Sequence, residues 1–238
     1  MKVELHPSSE RGHAGYGWLD TYHSFSFANY FNPVRERFGA LRVLNDDTIA
    51  PGAGFDEHPH DNMEIITIVL GGALEHRDSM GNTEVIRAGE VQVMSAGTGI
   101  RHAEYCHSQE EPATLLQIWI FPDQRGLTPR YEQRAFEPSQ RKNAWQTLVT
   151  PHNRQQEKAL WIHQDAWLSV AGPEAGAQTD YSLHQEGNGL FLFVIEGSAE
   201  VEGYRLGKRD AIAISGSSRI GVKALENAEI LGIEVPVK

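Results

Sequence analysis

Apolar residues along this chain come in short runs with strand-like length. They include ALRVLN (40–45), EIITIVL (64–70), EVIRA (84–88), EVQVMSA (90–96), TLLQIWIF (114–121), LFLFVIEG (190–197), AEVEG (199–203), DAIAIS (210–215) and EILGIEV (229–235). Each is rich in β-branched or aromatic residues and is bounded by Gly, Pro, Asn or Asp. Such runs, punctuated by turns every 8–12 residues, predict an all-β sandwich or barrel. Helical periodicity is scarce. DSMGNTE (78–84) has the residues of a hairpin turn, with Gly81 and Asn82 both tolerant of positive φ.

The pattern breaks between Pro122 and about Arg141, a polar stretch with three prolines and no period-2 alternation. It is the natural linker, and it divides the 238 residues into units 1–130 and 131–238. The two units carry a faint repeat. GGALE (71–75) resembles EGSAE (196–200), and AGEVQVMSAG (88–97) resembles LGKRDAIAIS (206–215), in the same order. The repeat predicts a duplicated barrel.

Composition narrows the function. The net charge is −11, of which −8 falls in residues 1–130, and no Lys/Arg block occurs. That pattern argues against direct nucleic-acid binding and against anionic membrane surfaces. No apolar run approaches the ~20 residues of a spanning helix. The N-terminus, MKVELHPSSERG, lacks the apolar stretch of a signal peptide. The single Cys106 cannot form an intrachain disulfide, so a cytoplasmic location is the expectation.

The chemistry lies in the histidines. His58 and His60, on either side of Pro59, point to one face of an extended strand, and Pro59 stiffens the pair. His102 and Glu104 repeat the i, i+2 spacing after the glycine-rich turn SAGTGIR (95–101). On neighbouring strands these teeth would offer three imidazoles and a carboxylate, a mixed N/O set suited to Fe(II), Mn, Ni, Co, Cu or Zn. An HxH pair alone is commonly a surface feature. The longer pattern, Gly52, His58, His60, Glu64 and Gly71 followed by Gly89, Gly97, Gly99 and His102, is more specific, and on spacing Glu64 is a further candidate ligand. His13 and His23 flank an aromatic segment that either packs between the barrels or lines a pocket. His76 and His107 read as exposed residues, and Cys106 as a buried inert thiol.

The two-part pattern resembles the cupin superfamily. RGHAGYGWLDTYHSFSFANYFNP (11–33), GFDEHPHDNMEI (54–65), DSMGN (78–82), SAGTGIRHAEY (95–105) and QIWIFP (117–122) sharpen the resemblance to the pirin family, of the bacterial type similar to quercetin 2,3-dioxygenases. The resemblance implies a bicupin: an N-terminal metal-binding domain over 1–130 and a degenerate, metal-free C-terminal cupin over 131–238. It implies the ligands His58, His60, His102 and Glu104, with Glu104 also the catalytic base. Glu64 then becomes a nearby strand residue able to support a ligand's ring. The implied cofactor is one divalent metal ion per chain, Fe(II) first. The implied substrates are a flavonol and O2, with ring cleavage and carbon monoxide release. An alternative implied role is a metal- or redox-sensing protein that binds a partner such as a transcription factor. A bicupin has enough internal interface to stand as a monomer. Measured by the repeat, the ligand positions of the second barrel fall on Leu183, Gln185, Gly189, Ile220 and Val222, none of a ligand type.

Overall fold

The computed structural model describes residues 1–237, and all nine predicted runs lie in strands. Among the described residues there is no α-helix, only three short 3-10 turns, and no helix long and apolar enough to cross a membrane. Two seven-stranded sheets dominate. The first runs Arg130–Ala135, Glu90–Ser95, Glu64–Gly71, Ala113–Ile120, Leu41–Ile49, Leu19–His23, Gly12–Gly15. A four-stranded sheet, Gly54–His60, Ile100–Cys106, Ala73–Asp78, Thr83–Arg87, closes over its inner face. The second large sheet runs Lys2–His6, Ala211–Ser215, Asn188–Glu196, Glu229–Pro236, Trp167–Ala171, Trp145–Pro151, Leu160–Ile162. It is covered by a three-stranded and a two-stranded sheet. The fold is thus the expected pair of β-barrels.

Two strands cross the division expected at residue 130. Lys2–His6 pairs with Ala211–Ser215 and so extends the second barrel, while Arg130–Ala135 pairs with Glu90–Ser95 and so extends the first. The second of these lies inside the predicted linker. Its residues are half-buried on both faces, which removes the alternation by which a strand is recognised.

Strand alternation sorts the core into three regions. The outward faces of the two large sheets meet in one apolar layer, with Ile66, Ile68, Leu116 and Ile118 from the first and Leu168, Phe191, Phe193 and Ile233 from the second. The interior of the second barrel is one apolar cluster, including Leu190, Leu192, Val194, Val201, Ile220 and Val222. The interior of the first barrel is two separate clusters, one around Val69, Leu74 and Leu115, the other around Ile65, Met94 and Ile100. Thr67 stands between Ile65 and Val69 on the same inward face, and the polar residues it belongs with form the site.

Candidate metal centre

The strands Gly54–His60 and Ile100–Cys106 are antiparallel neighbours, with His102 opposite His58 and Ile100 opposite His60. The register then slips, so that Glu104 faces Phe55. Asp56 and Glu57 together oppose Ala103, a β-bulge. Without the extra residue, His58 and Phe55 could not both turn inward; with it, both line the chamber. The turn before His102 is fixed by Gly97, at φ +52°, where an added Cβ would lie 2.1 Å from the Leu127 carbonyl oxygen.

His58, His60 and His102 converge. Their ring centroids stand 4.8 Å (His58–His60), 4.4 Å (His58–His102) and 4.8 Å (His60–His102) apart, and their nitrogens lie within 4.8 Å of one another, a spacing one metal ion can bridge. Glu104 has ligand atoms within the same distance of His102 and of His76, and it lines the same chamber of about 200 Å³. Burial and the neighbouring imidazoles push the pKa values of His60 and His102 down to about 3, so their lone pairs are free to bind a cation. Burial raises the pKa of Glu104, partly offset by His76, His58 and a 3.1 Å hydrogen bond donated by Gln117. Thr67 holds Gln117 in turn, at 3.2 Å.

Among the buried polar atoms without a hydrogen-bond partner, four belong to residues lining this chamber: His102 Nε2, Glu104 Oε1, Asp47 Oδ1 and Trp119 Nε1. Orphaned buried polar atoms are rare and call for an explanation. The tautomers agree with one. His58 Nδ1 donates to the Asp56 carbonyl at 2.8 Å, which leaves its Nε2 unprotonated. His102 Nδ1 lies 3.5 Å from His76 Nδ1, and His76 Nε2 lies 3.1 Å from Asp78 Oδ2. A chain from His102 through His76 to Asp78 leaves the orphaned His102 nitrogen as the acceptor. The donor set therefore fits a divalent metal.

His76 is the residue that sequence reasoning missed. It is fully buried and stacked on Tyr131, not exposed. Its signal was present: Leu74 and His76 share a face of one strand, and Leu74 is core. Glu64 lies on the opposite face of its strand from Ile65, away from the histidines. Its carboxylate accepts from Ser95 at 2.7 Å at the seam between the barrels, near Arg130 and Asp123. His107 is half-exposed beside Glu75. Cys106 is buried with Sγ near the Ser108 and Glu111 carbonyls. The aromatic segment divides its work: Phe25 joins the layer between the barrels, whereas Tyr16, Trp18 and Phe27 line a second chamber of about 270 Å³.

In the second barrel, Val201 pairs with Val222 as His76 pairs with Glu104 in the first, so Ile220 and Val222 occupy the predicted places. The first tooth is offset by two residues from the prediction: Tyr181, not Leu183, stands opposite Ile220. No group of three His, Cys, Asp or Glu with ligand atoms within 4.8 Å occurs in this barrel among the described residues.

Known proteins place this architecture. A profile described as Pirin matches residues 4–120, and one described as Quercetinase C-terminal cupin domain matches residues 147–235. The chain is 44% identical over 234 residues to a protein of Escherichia coli (strain K12) named quercetin 2,3-dioxygenase, covering 98% of this chain and 99% of that one. It is 42% identical over 232 residues to a pirin-like protein of Caulobacter vibrioides, with 98% and 99% covered. The crystal structure of the bacterial pirin YhhW from Escherichia coli in complex with nickel(II) superposes with a TM-score of 0.93 at 42% identity, covering all of both chains. With both barrels matched in order and relatives similar from end to end, the chain belongs to the pirin family of the cupin superfamily.

Proposed function

We propose that the protein is a metal-dependent dioxygenase of quercetin-type flavonols, with one divalent metal held by His58, His60, His102 and Glu104 in the first barrel. The observation that carries this reading is the pair of orphaned buried atoms, His102 Nε2 and Glu104 Oε1, on the wall of a chamber that His58 and His60 also line. The full-length similarity to a protein named quercetin 2,3-dioxygenase and to a nickel-bound pirin supports it. Fe(II) is the resident ion in this reading, although the nitrogen and oxygen donors accept several metals. Apart from the crossing strands Lys2–His6 and Arg130–Ala135, the metal-bearing unit precedes the division near residue 130 and a metal-free second barrel follows it as a buttress.

When bound, the metal supplies Lewis acidity toward a substrate hydroxyl and electron exchange with O2. The chain's residues do the rest. Phe27, Phe55, Ile65 and Trp119 line the chamber with apolar surface, a slot for a flat aromatic ring that keeps water out. Gln117 fixes the Glu104 carboxylate through Oε2, so Oε1 acts in turn as the atom that would hold the metal and the one that takes the proton of the flavonol hydroxyl. Burial favours the protonated carboxyl that results. His76 and Asp78 hold the His102 ring in one tautomer. In the net reaction both atoms of O2 enter the organic product and one ring carbon leaves as carbon monoxide.

The test is oxygen uptake and carbon monoxide release by metal-replete protein with quercetin. Consumption of O2 with matching carbon monoxide is the expected result. Protein that binds metal but consumes no O2 would overturn the reading in favour of a metal-sensing, partner-binding role.

A further inference from the structure

Asp47 is a buried carboxyl that neither the fold nor the proposed metal set uses. It sits inward on the strand Leu41–Ile49, opposite Leu115, and is 4% exposed. Its Oδ1 has no hydrogen-bond partner. Asp47 lies where two cavities meet. The metal chamber of about 200 Å³ and the aromatic chamber of about 270 Å³ share four lining residues: Phe27, Asn45, Asp47 and Phe55. Together they fall within the roughly 300–1,000 Å³ of small-molecule sites, whereas the metal chamber alone does not. Of the two polar residues on the shared wall, Asn45 is already engaged, its Oδ1 2.9 Å from His23 Nδ1. Asp47 is held on one side by the Thr21 hydroxyl, and its Oδ1 is the atom left over.

The second barrel shows that the fold does not require it. Leu115 pairs with Val69 and with Asp47; at the equivalent place Ile230 pairs with Val194 and with Ala171. The same scaffold position is filled there by a methyl group. A buried carboxyl with one oxygen unpaired opposes folding unless something pairs with that oxygen. We infer that Asp47 is the anchor for a hydroxyl on the part of the substrate that reaches from the metal chamber into the aromatic chamber, so that the site selects ring-hydroxylated two-ring aromatics over bare ones. This rests on the flavonol reading above and adds a specificity residue to it. Burial raises the pKa of Asp47 to about 7, offset in part by the Thr21 hydroxyl and reinforced by Asp46 and Glu104. The open Oδ1 can accept a hydrogen bond from a phenol.

The test is an anaerobic titration of metal-replete, full-length protein with quercetin and with unsubstituted flavone, followed by tryptophan fluorescence, so that binding is read without turnover. Asp47→Leu, which keeps the branched skeleton with methyls for oxygens, should weaken quercetin binding about thirtyfold and flavone binding less than about twofold; Asp47→Asn, which keeps a weaker neutral partner and secures the test if the leucine variant does not fold, should weaken quercetin about fivefold. Metal content should not change, and the melting temperature should hold or rise, which a structural role would not allow. Wild-type affinity for quercetin in the asparagine variant and in any folded leucine variant would overturn the inference alone, as would equal losses for both ligands. Wild-type protein that binds neither ligand would overturn the flavonol reading and this inference with it.

Discussion

The two barrels are built on one plan and differ in how their buried carboxylates are paired. The first encloses Asp47, Thr67, His76, His102, Glu104 and Gln117. At the matching register positions the second has Ala171, Leu192, Val201, Ile220, Val222 and Gly232. It has a buried carboxylate of its own, Glu234, fully buried, which accepts hydrogen bonds from the Tyr181 hydroxyl, the Asn188 amide and the backbone N–H groups of His184 and Gln185. His184 Nδ1 adds a contact at 2.8 Å. Glu234 is saturated and ties down the 182–188 segment; Glu104 and Asp47 each keep an oxygen without a partner. A buried carboxylate with every partner in place is structure, and one with an open oxygen on a cavity wall is a site.

That contrast can be broken by mutation. The largest effect expected is from Glu104→Gln, which should lower flavonol turnover about 10³-fold, the scale of general acid–base catalysis, with the melting curve nearly unchanged. Retained turnover in the kinetic assay would place the base elsewhere. The mirror experiment is Glu234→Leu. It strands several buried donors at about 1–3 kcal/mol each, so calorimetry should show a melting temperature lower by roughly 5–15 °C. Metal content should stay the same; a variant that melts like wild type would deny Glu234 its structural role.

His76→Leu separates support from ligation within the first barrel. It removes the group that orients His102 and should weaken metal binding about 10- to 100-fold in competition with a chelator. An unchanged affinity would show that His102 needs no orienting partner. A last effect, on stability alone, lies at the seam. Burial raises Glu64 to about 7 from an unfolded value of 4.5. A carboxyl with a raised pKa favours the fold below about pH 4.5 and loses that contribution as pH climbs through 7. Glu64→Gln should match wild type near pH 4 and be more stable by about 3 kcal/mol at pH 8. A gap that does not widen with pH would contradict the buried placement.

Much of this was legible in the chain. Nine strands announced themselves through runs of β-branched and apolar residues bounded by turn residues, from the three of Ala199–Val201 to the nine of Asn188–Glu196. His58, His60, His102 and Glu104 were legible because i, i+2 spacing turns two residues of a strand the same way, and all four line one chamber. Other features were not. Lys2–His6 joins the second barrel although nothing in KVELH specifies a partner more than 200 residues away. Tyr181–Ser182 and Arg219–Ile220 are two-residue strands, too short to show a period. The bulge that turns Phe55 and His58 inward together depends on pairing with Ile100–Cys106, a register that local sequence does not encode. Nothing in the sequence marks Asp47, because its orphaned oxygen is a property of the folded cavity and not of the residues around it in the chain.

Metal stoichiometry tests the contrast between the barrels most directly. Elemental analysis of protein reconstituted anaerobically with Fe(II) should give one ion per chain for the wild type and close to none for the His60→Ala, His102→Ala double variant. Two ions per chain, or an ion retained by the double variant, would contradict the assignment of the metal to the first barrel alone.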